Sequence, residues 1–174
     1  DWQQSLKDFE DSPGLPPAAE LVARIGDGGH KELFGAAVIL STSGTTSAPK
    51  GVVLGHESLI RLACAVAAQQ DITPEQRFYT VSPFFHFSGY LHGLLTNLVA
   101  GSTLFTSRRY TPDEAWDIFS QERIDVYHGS IVPLQEIALL PRFKKEKIAS
   151  LTRAWYSAPA TEMARLEALL GTRM

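Results

Sequence analysis

The chain predicts an α/β fold in which a parallel sheet is flanked by helices, and three observations lead there. From residue 36 onward, short apolar runs of strand character alternate with stretches of helical periodicity. The repeated strand–helix unit has the length that a parallel crossover needs. The unusual loops, after Ser41, Ser82, Tyr127 and Tyr156, fall at the carboxyl ends of predicted strands, where sheets of this class bind their ligands.

Residues 1–35 form an irregular lead-in. "DSPGLPP" and "GDGG" are turn chemistry, with room for a short helix over 18–24. "AAVILS" then reads as a buried strand and "KGVVLG" as a second, separated by a polar loop. Residues 58–68 carry Leu59, Leu62, Ala63, Val66 and Ala67 at helical spacing. "RFYTVS" is a strand, 91–100 a helix, and "STLFTS" a strand. The next helix opens on Thr111, Pro112 and Glu114, a capping box with proline at the first helical position, and turns Ile118 and Phe119 inward. "DVYHGS" is a strand, 133–140 a helix, "LTRAWYS" a strand, and 161–170 a final helix before Gly171.

Composition narrows the function classes. At 174 residues, 44% hydrophobic and 20% charged, the chain is at most one ordinary soluble domain. Its 16 basic and 19 acidic residues balance to −3, so no global field attracts nucleic acid. Arg108-Arg109 and the Lys144, Lys145, Lys147 group sit at predicted loops and read as solvated charge. The lone cysteine, Cys64, lies at a helical apolar position as a small core residue and excludes an intramolecular disulfide or a cysteine-built metal cage. No His/Asp/Glu set has metal-ligand spacing, and no protein-built metal site is expected. No apolar run approaches a membrane span, and "DWQQSLKDFEDSPG" has no signal-peptide pattern, so a cytoplasmic setting is expected.

The loop in "LSTSGTTSAPKGVVLG" carries the chemistry. Several hydroxyls, a glycine and Lys50 in one short segment suit a polyphosphate: backbone and hydroxyl donors meet oxygens, Gly44 permits close approach, and Lys50 supplies charge. A Walker A loop does not fit. Aligned on Lys50, Pro49 stands where that motif needs glycine, and Gly51 where it needs Ser or Thr. From residue types alone, an inert Ser/Thr/Gly/Pro hairpin tip remains an equal alternative.

The order of residues goes further. "TSGTTSAPKG" resembles the phosphate-loop signature of the AMP-forming adenylating enzymes, the superfamily of acyl-CoA synthetases, luciferases and peptide-synthetase adenylation domains, with Ser47 where glycine is usual. "SPFFHFSGYLHGLLTNLVAGSTLF", "PDEAWDIFSQERIDVYHGSIVPLQEIALL" and "LTRAWYSAPATEMARLEALLG" resemble its following motifs, in the same order. The resemblance covers 36–171 and lies nearest to acyl-CoA synthetases. It implies that residues 36–174 are part of a nucleotide-binding α/β domain, a central fragment of the large N-terminal domain of such an enzyme, without the mobile C-terminal domain.

The resemblance also implies roles. Ser43, Gly44, Thr45, Thr46 and Lys50 would contact the β- and γ-phosphates of ATP, with Lys50 stabilising the departing pyrophosphate. Ser157, Ala158 and Pro159 would lie along the adenine, with Tyr156 replacing the usual first glycine. His86 would face the carboxylate substrate; amino-acid-activating members carry aspartate there to pair an ammonium, so His86 favours a fatty or aryl acid. Of the remaining histidines, His92 reads as structural or exposed, and His128 as a candidate for the acyl pocket. Magnesium would arrive with ATP, and coenzyme A would accept the acyl group. The implied function is ATP-dependent activation of a carboxylic acid to an acyl-adenylate, then thioester formation. A degenerate non-catalytic nucleotide-binding module and an amino-acid adenylation domain are the alternatives. The magnesium-holding glutamate, the ribose-binding aspartate and the distal lysine of the family have no counterpart in this sequence, so the fragment alone is expected to be inactive.

Overall fold

Two sheets organise the described residues of the computed structural model, which are 36–42, 50–156 and 158–170. The helix expected over 18–24 and the loop 43–49 lie outside them. Strands β1 (Ala36–Thr42) and β2 (Lys50–Gly55) pair antiparallel, with Leu40 opposite Val52 and Thr42 opposite Lys50. The polar loop is therefore the connection of a hairpin, and not the end of a strand in the parallel sheet. The reason is its length: β1 ends at Thr42 and β2 begins at Lys50, and so short a connection can join only antiparallel neighbours.

From β2 the chain enters helix α1 (His56–Gln69), which buries Leu59, Ala63, Cys64, Val66 and Ala67. Burial pushes the Cys64 thiol up, away from the reactive thiolate. Four strands follow: β3 (Arg77–Thr80), β4 (Thr103–Thr106), β5 (Val126–His128) and β6 (Arg153–Trp155). They form one parallel sheet in the order β4-β3-β5-β6.

Successive residues of a strand face opposite sides, and both faces of this sheet are covered. Phe78 and Val126 pack with Leu59, Ala63 and Cys64 of α1 and with Leu91, Leu95 and Val99. On the other face, Tyr79 and Tyr127 pack against helices α3 (Pro112–Glu122), α4 (Ile131–Ala138) and α5 (Ala160–Leu170); α2 is Thr96–Ala100. Thr111 caps α3 as expected, its hydroxyl accepting from the Glu114 N–H at 3.2 Å with Pro112 at the first position. The inner face of α3 is wider than expected: Ala115 and Trp116 are buried with Phe119, while Ile118 is half-buried.

The expected single helix over 91–100 is a π-helix, Gly89–Leu95, that continues into α2. Wider turns misalign carbonyls at such a junction, and buried side chains meet them here. The Thr96 hydroxyl donates to the Leu91 carbonyl at 2.9 Å, and the Asn97 amide donates to that of Gly93 at 2.5 Å. π-turns cluster at functional sites. This one follows β3 on one face of the sheet, whereas α4 follows β5 on the other. The carboxyl ends of β3 and β5 therefore flank a switch point, where chains diverge and leave a crevice. Among the described residues, no helix is long and apolar enough to cross a membrane.

Candidate functional site at the switch point

Thr80 and His128 are register partners at the ends of β3 and β5. Both are buried, and the Thr80 hydroxyl lies 3.2 Å from His128 Nδ1. The other nitrogen, Nε2, is 3.1 Å from the hydroxyl of Ser88, which ends the loop after β3. His128 thus clasps that loop to the sheet. Burial, and secondarily the nearby His92, pull its pKa from 6.5 to about 4, so the ring is neutral at neutral pH.

Two glycines make the clasp possible. A Cβ on Gly129 would meet Tyr127 Oη at 2.5 Å and Val81 Cγ2 at 2.7 Å. A Cβ on Gly89 would meet the Pro83 and Ser82 carbonyl oxygens at 2.3 and 2.5 Å. Backbone cannot swing aside as a side-chain end can, so Gly89→Ala is expected to push residues 82–88 off the sheet. Overpacking of this kind costs roughly 1–3 kcal/mol, and the Ser88–His128 bond should go with it. Urea unfolding measures the first and the His128 imidazole resonances the second. An unchanged midpoint with unchanged resonances would show that the loop absorbs the methyl.

A cleft of about 550 Å³ opens beside this clasp. Val66, Gln69 and Gln70 at the end of α1 form one side; His128, Gly129, Trp155 and Tyr156 at the ends of β5 and β6 form another; Ser88 and His92 close it. Its rings stand close together. His92 and His128 centroids are 5.2 Å apart, and Trp155 stands edge-on to both at 6.0 and 5.9 Å. His92, read from sequence as structural or exposed, is half-buried in the cleft wall with its pKa lowered by burial. Its Nδ1 is buried with no hydrogen-bond partner, alone in this among the buried side-chain polar atoms of the described residues.

His86 sits elsewhere. It is exposed and lines a separate, larger groove of about 910 Å³, between Phe84–Phe87 and the hairpin residues Val38, Leu40, Val52 and Leu54. The Ser88 N–H donates to His86 Nδ1 at 3.2 Å. A neutral ring accepting at Nδ1 carries its proton on Nε2. The same serine therefore links the two histidines: its hydroxyl bonds His128 in the cleft and its amide orients His86 in the groove.

Of the other predicted site residues, Lys50 begins β2 opposite Thr42, at the mouth of the loop. Ser43, Gly44, Thr45, Thr46 and Ser157 lie outside the described residues. Ala158 packs half-buried against the α3–α5 core, and the Pro159 carbonyl accepts from Glu162 and Met163 at the start of α5, at 2.9 and 3.1 Å. Gln69, Gln70, Ser88 and Trp155 were not legible as site residues. Nothing local marks the end of an amphipathic helix or the middle of an apolar strand as a cleft wall.

A parallel sheet covered on both faces, with a ring-lined cleft at its switch point, defines an α/β ligand-binding domain. The family model described as AMP-binding enzyme matches residues 30–172, and the chain belongs to that family. It is 33% identical over 129 residues to a (methyl-dioxo-octahydro-indenyl)propanoyl:CoA ligase of Mycobacterium tuberculosis, covering 74% of this chain and 25% of that protein. With the medium-chain fatty-acid–CoA ligase of Escherichia coli it shares 32% identity over 94 residues, 54% of this chain and 17% of that one. The fold matches the N-terminal domain of FACL13 from Mycobacterium tuberculosis with a TM-score of 0.71 at 24% identity, covering 81% of this chain and 36% of that one. It matches ATP-bound MatB from Rhodopseudomonas palustris with a TM-score of 0.69, also at 24% identity, covering 79% and 28%. The chain thus spans about a quarter of the length of that Mycobacterium tuberculosis ligase and of its namesake in Rhodococcus jostii.

Proposed function

We propose that the protein carrying this chain activates a fatty or aryl carboxylic acid with ATP, in the cytoplasm, and passes the acyl group to coenzyme A. The observation that carries this reading is the shared groove: the hairpin that bears the hydroxyl–glycine–lysine loop faces His86 across it. A triphosphate held at the loop and a carboxylate held at His86 would then meet. Ser43, Gly44, Thr45, Thr46 and Lys50 are assigned to the β- and γ-phosphates, and Ser157, Ala158 and Pro159 to the adenine. The donor set suits the ligand: hydroxyls, amides and one cation for an anion, with neutral apolar walls around it. Residues 36–174 would supply part of the nucleotide-binding domain, and magnesium would enter bound to the triphosphate, screening its charge.

In the first step a carboxylate oxygen attacks the α-phosphorus and the bond to pyrophosphate breaks. Lys50 offsets the charge gathering on the leaving group. His86, with its proton on Nε2, would donate to the carboxylate and orient it. In the second step the thiolate of coenzyme A takes the acyl carbon and AMP leaves. The relatives' names, CoA ligases of medium-chain and ring-bearing acids, support the acceptor. ATP–pyrophosphate exchange by the whole protein carrying this chain, with a panel of fatty and aryl acids, tests the first step, and thioester formation the second. Exchange only with amino acids, or with no acid, would overturn the proposal.

His86→Asp should weaken activation of a simple acid. A carboxylate facing a carboxylate in this open groove costs about 1 kcal/mol, which is a several-fold rise in KM. Unchanged KM for the best acid would remove His86 from the carboxylate.

A further inference from the structure

We propose that His128 is a positioning residue for His86: acting through Ser88, it holds the His86 ring in one orientation, with Nε2–H left as the donor for the acid. This rests on the reading that His86 receives the acid's carboxylate. His86 does not hold itself. It is exposed, and among the described residues its ring has a single hydrogen bond, accepted at Nδ1 from the Ser88 N–H at 3.2 Å. A ring held at one atom on an open wall is only as fixed as its donor. A ring free to turn must be ordered when the ligand binds, which weakens binding.

Ser88 is fixed from the sheet. It stands immediately before the π-helix Gly89–Leu95 and uses its two polar ends in opposite directions. Its N–H meets His86, and its hydroxyl lies 3.1 Å from His128 Nε2. His128 is buried at the end of β5, and its Nδ1 lies 3.2 Å from the Thr80 hydroxyl on β3. Thr80 also accepts from the Ser82 N–H at 3.2 Å, so both ends of the loop are tied to strand ends. Bonds inside the loop shape it without anchoring it. The His86 N–H donates to the Pro83 carbonyl at 3.0 Å, and the Tyr90 N–H to the His86 carbonyl at 2.9 Å. Among the described hydrogen bonds of residues 83–88, only that of the Ser88 hydroxyl reaches the parallel sheet. The tether is also uncharged, since Thr80 and Ser88 are hydroxyls and the His128 ring is neutral at neutral pH. An aspartate in place of Ser88 could orient His86 as well, but it would repel an incoming carboxylate.

The test compares His128→Asn with His128→Gln in the whole protein carrying this chain. A glutamine amide reaches the place of Nε2 and keeps Ser88; an asparagine amide reaches only that of Nδ1 and releases it. In His128→Asn and in Ser88→Ala, kcat/KM for the best acid should fall about three- to tenfold, the effect of freeing one oriented side chain. KM for ATP should stay, and His128→Gln should recover most of the loss. In a His86→Ala background neither His128→Asn nor Ser88→Ala should lower kcat/KM further, because the tether then holds nothing. NMR relaxation of the His86 Cε1–H bond, read without substrate, should show a loosened ring in His128→Asn and Ser88→Ala and an ordered one in His128→Gln. A ring equally ordered in all of them, or a kcat/KM loss that persists in His86→Ala, would overturn the inference. Absent pyrophosphate exchange with every acid would overturn the proposed activity alone, because the relaxation measurement contains no substrate.

Discussion

In the whole protein carrying this chain, Lys50→Ala is expected to slow the proposed acyl-adenylate formation by roughly 2–4 kcal/mol in the transition state, the cost of removing one preorganised donor from a developing charge. Thioester formation from a pre-made acyl-adenylate should change little, because pyrophosphate has left before that step begins. The asymmetry is the informative part. A lysine that merely steadied the hairpin would damage both half-reactions, since β2 pairs along its length with β1, from Lys50 opposite Thr42 to Gly55 opposite Ala36. A lysine that binds ATP equally in ground and transition states would raise KM for ATP and leave kcat alone. Single-turnover measurements of each half-reaction separate the three cases. Equal loss in both would remove Lys50 from the leaving group.

The parallel sheet was legible because its signal is local. "RFYT", "TLFT" and "DVYH" are apolar runs bounded by polar turns, and each is followed by residues at helical spacing. The Thr111–Pro112–Glu114 cap is local too, and its Thr111 half formed, the hydroxyl accepting from the Glu114 N–H. The π-helix was not legible. "GYLHGLL" has helical spacing either way, and what marks the wider turn is geometry that spacing does not encode: the close approach of Gly89 to Ser82 and Pro83, and carbonyl bonds from Thr96 and Asn97. The site divides along the same line. His128 next to Gly129 at a strand end could be singled out, because strand ends carry ligands. Its partners could not, since Thr80 and Ser88 are 48 and 40 residues away. His92 was read as structural or exposed for the same reason: only the packed fold brings it 5.2 Å from His128 and 6.0 Å from Trp155.

The clasp should also make the fold acid-sensitive. The His128 pKa stands at about 4, against 6.5 for an unburied histidine, because burial and the neighbouring His92 disfavour its charge. Hydrogen bonding does not oppose protonation, as both the Thr80 and Ser88 hydroxyls can accept. The other groups packed on the ring, Phe78 and Trp155, are neutral, so no negative charge among the described contacts offsets the burial of an imidazolium. Between these two pKa values the unfolded chain binds a proton that the folded chain refuses. Stability therefore rises with pH through this window, is fully present above about 6.5, and is lost as pH falls towards 4. The contribution at stake is about 3 kcal/mol at 1.36 kcal/mol per pH unit. His92, also shifted down by burial, acts in the same direction. Urea unfolding at pH 7, 5.5 and 4 should show the wild-type chain losing more stability than His128→Gln over that span, with carboxylate protonation common to both. Parallel losses in the two proteins would mean that His128 titrates alike folded and unfolded, and that the clasp tolerates the charged ring.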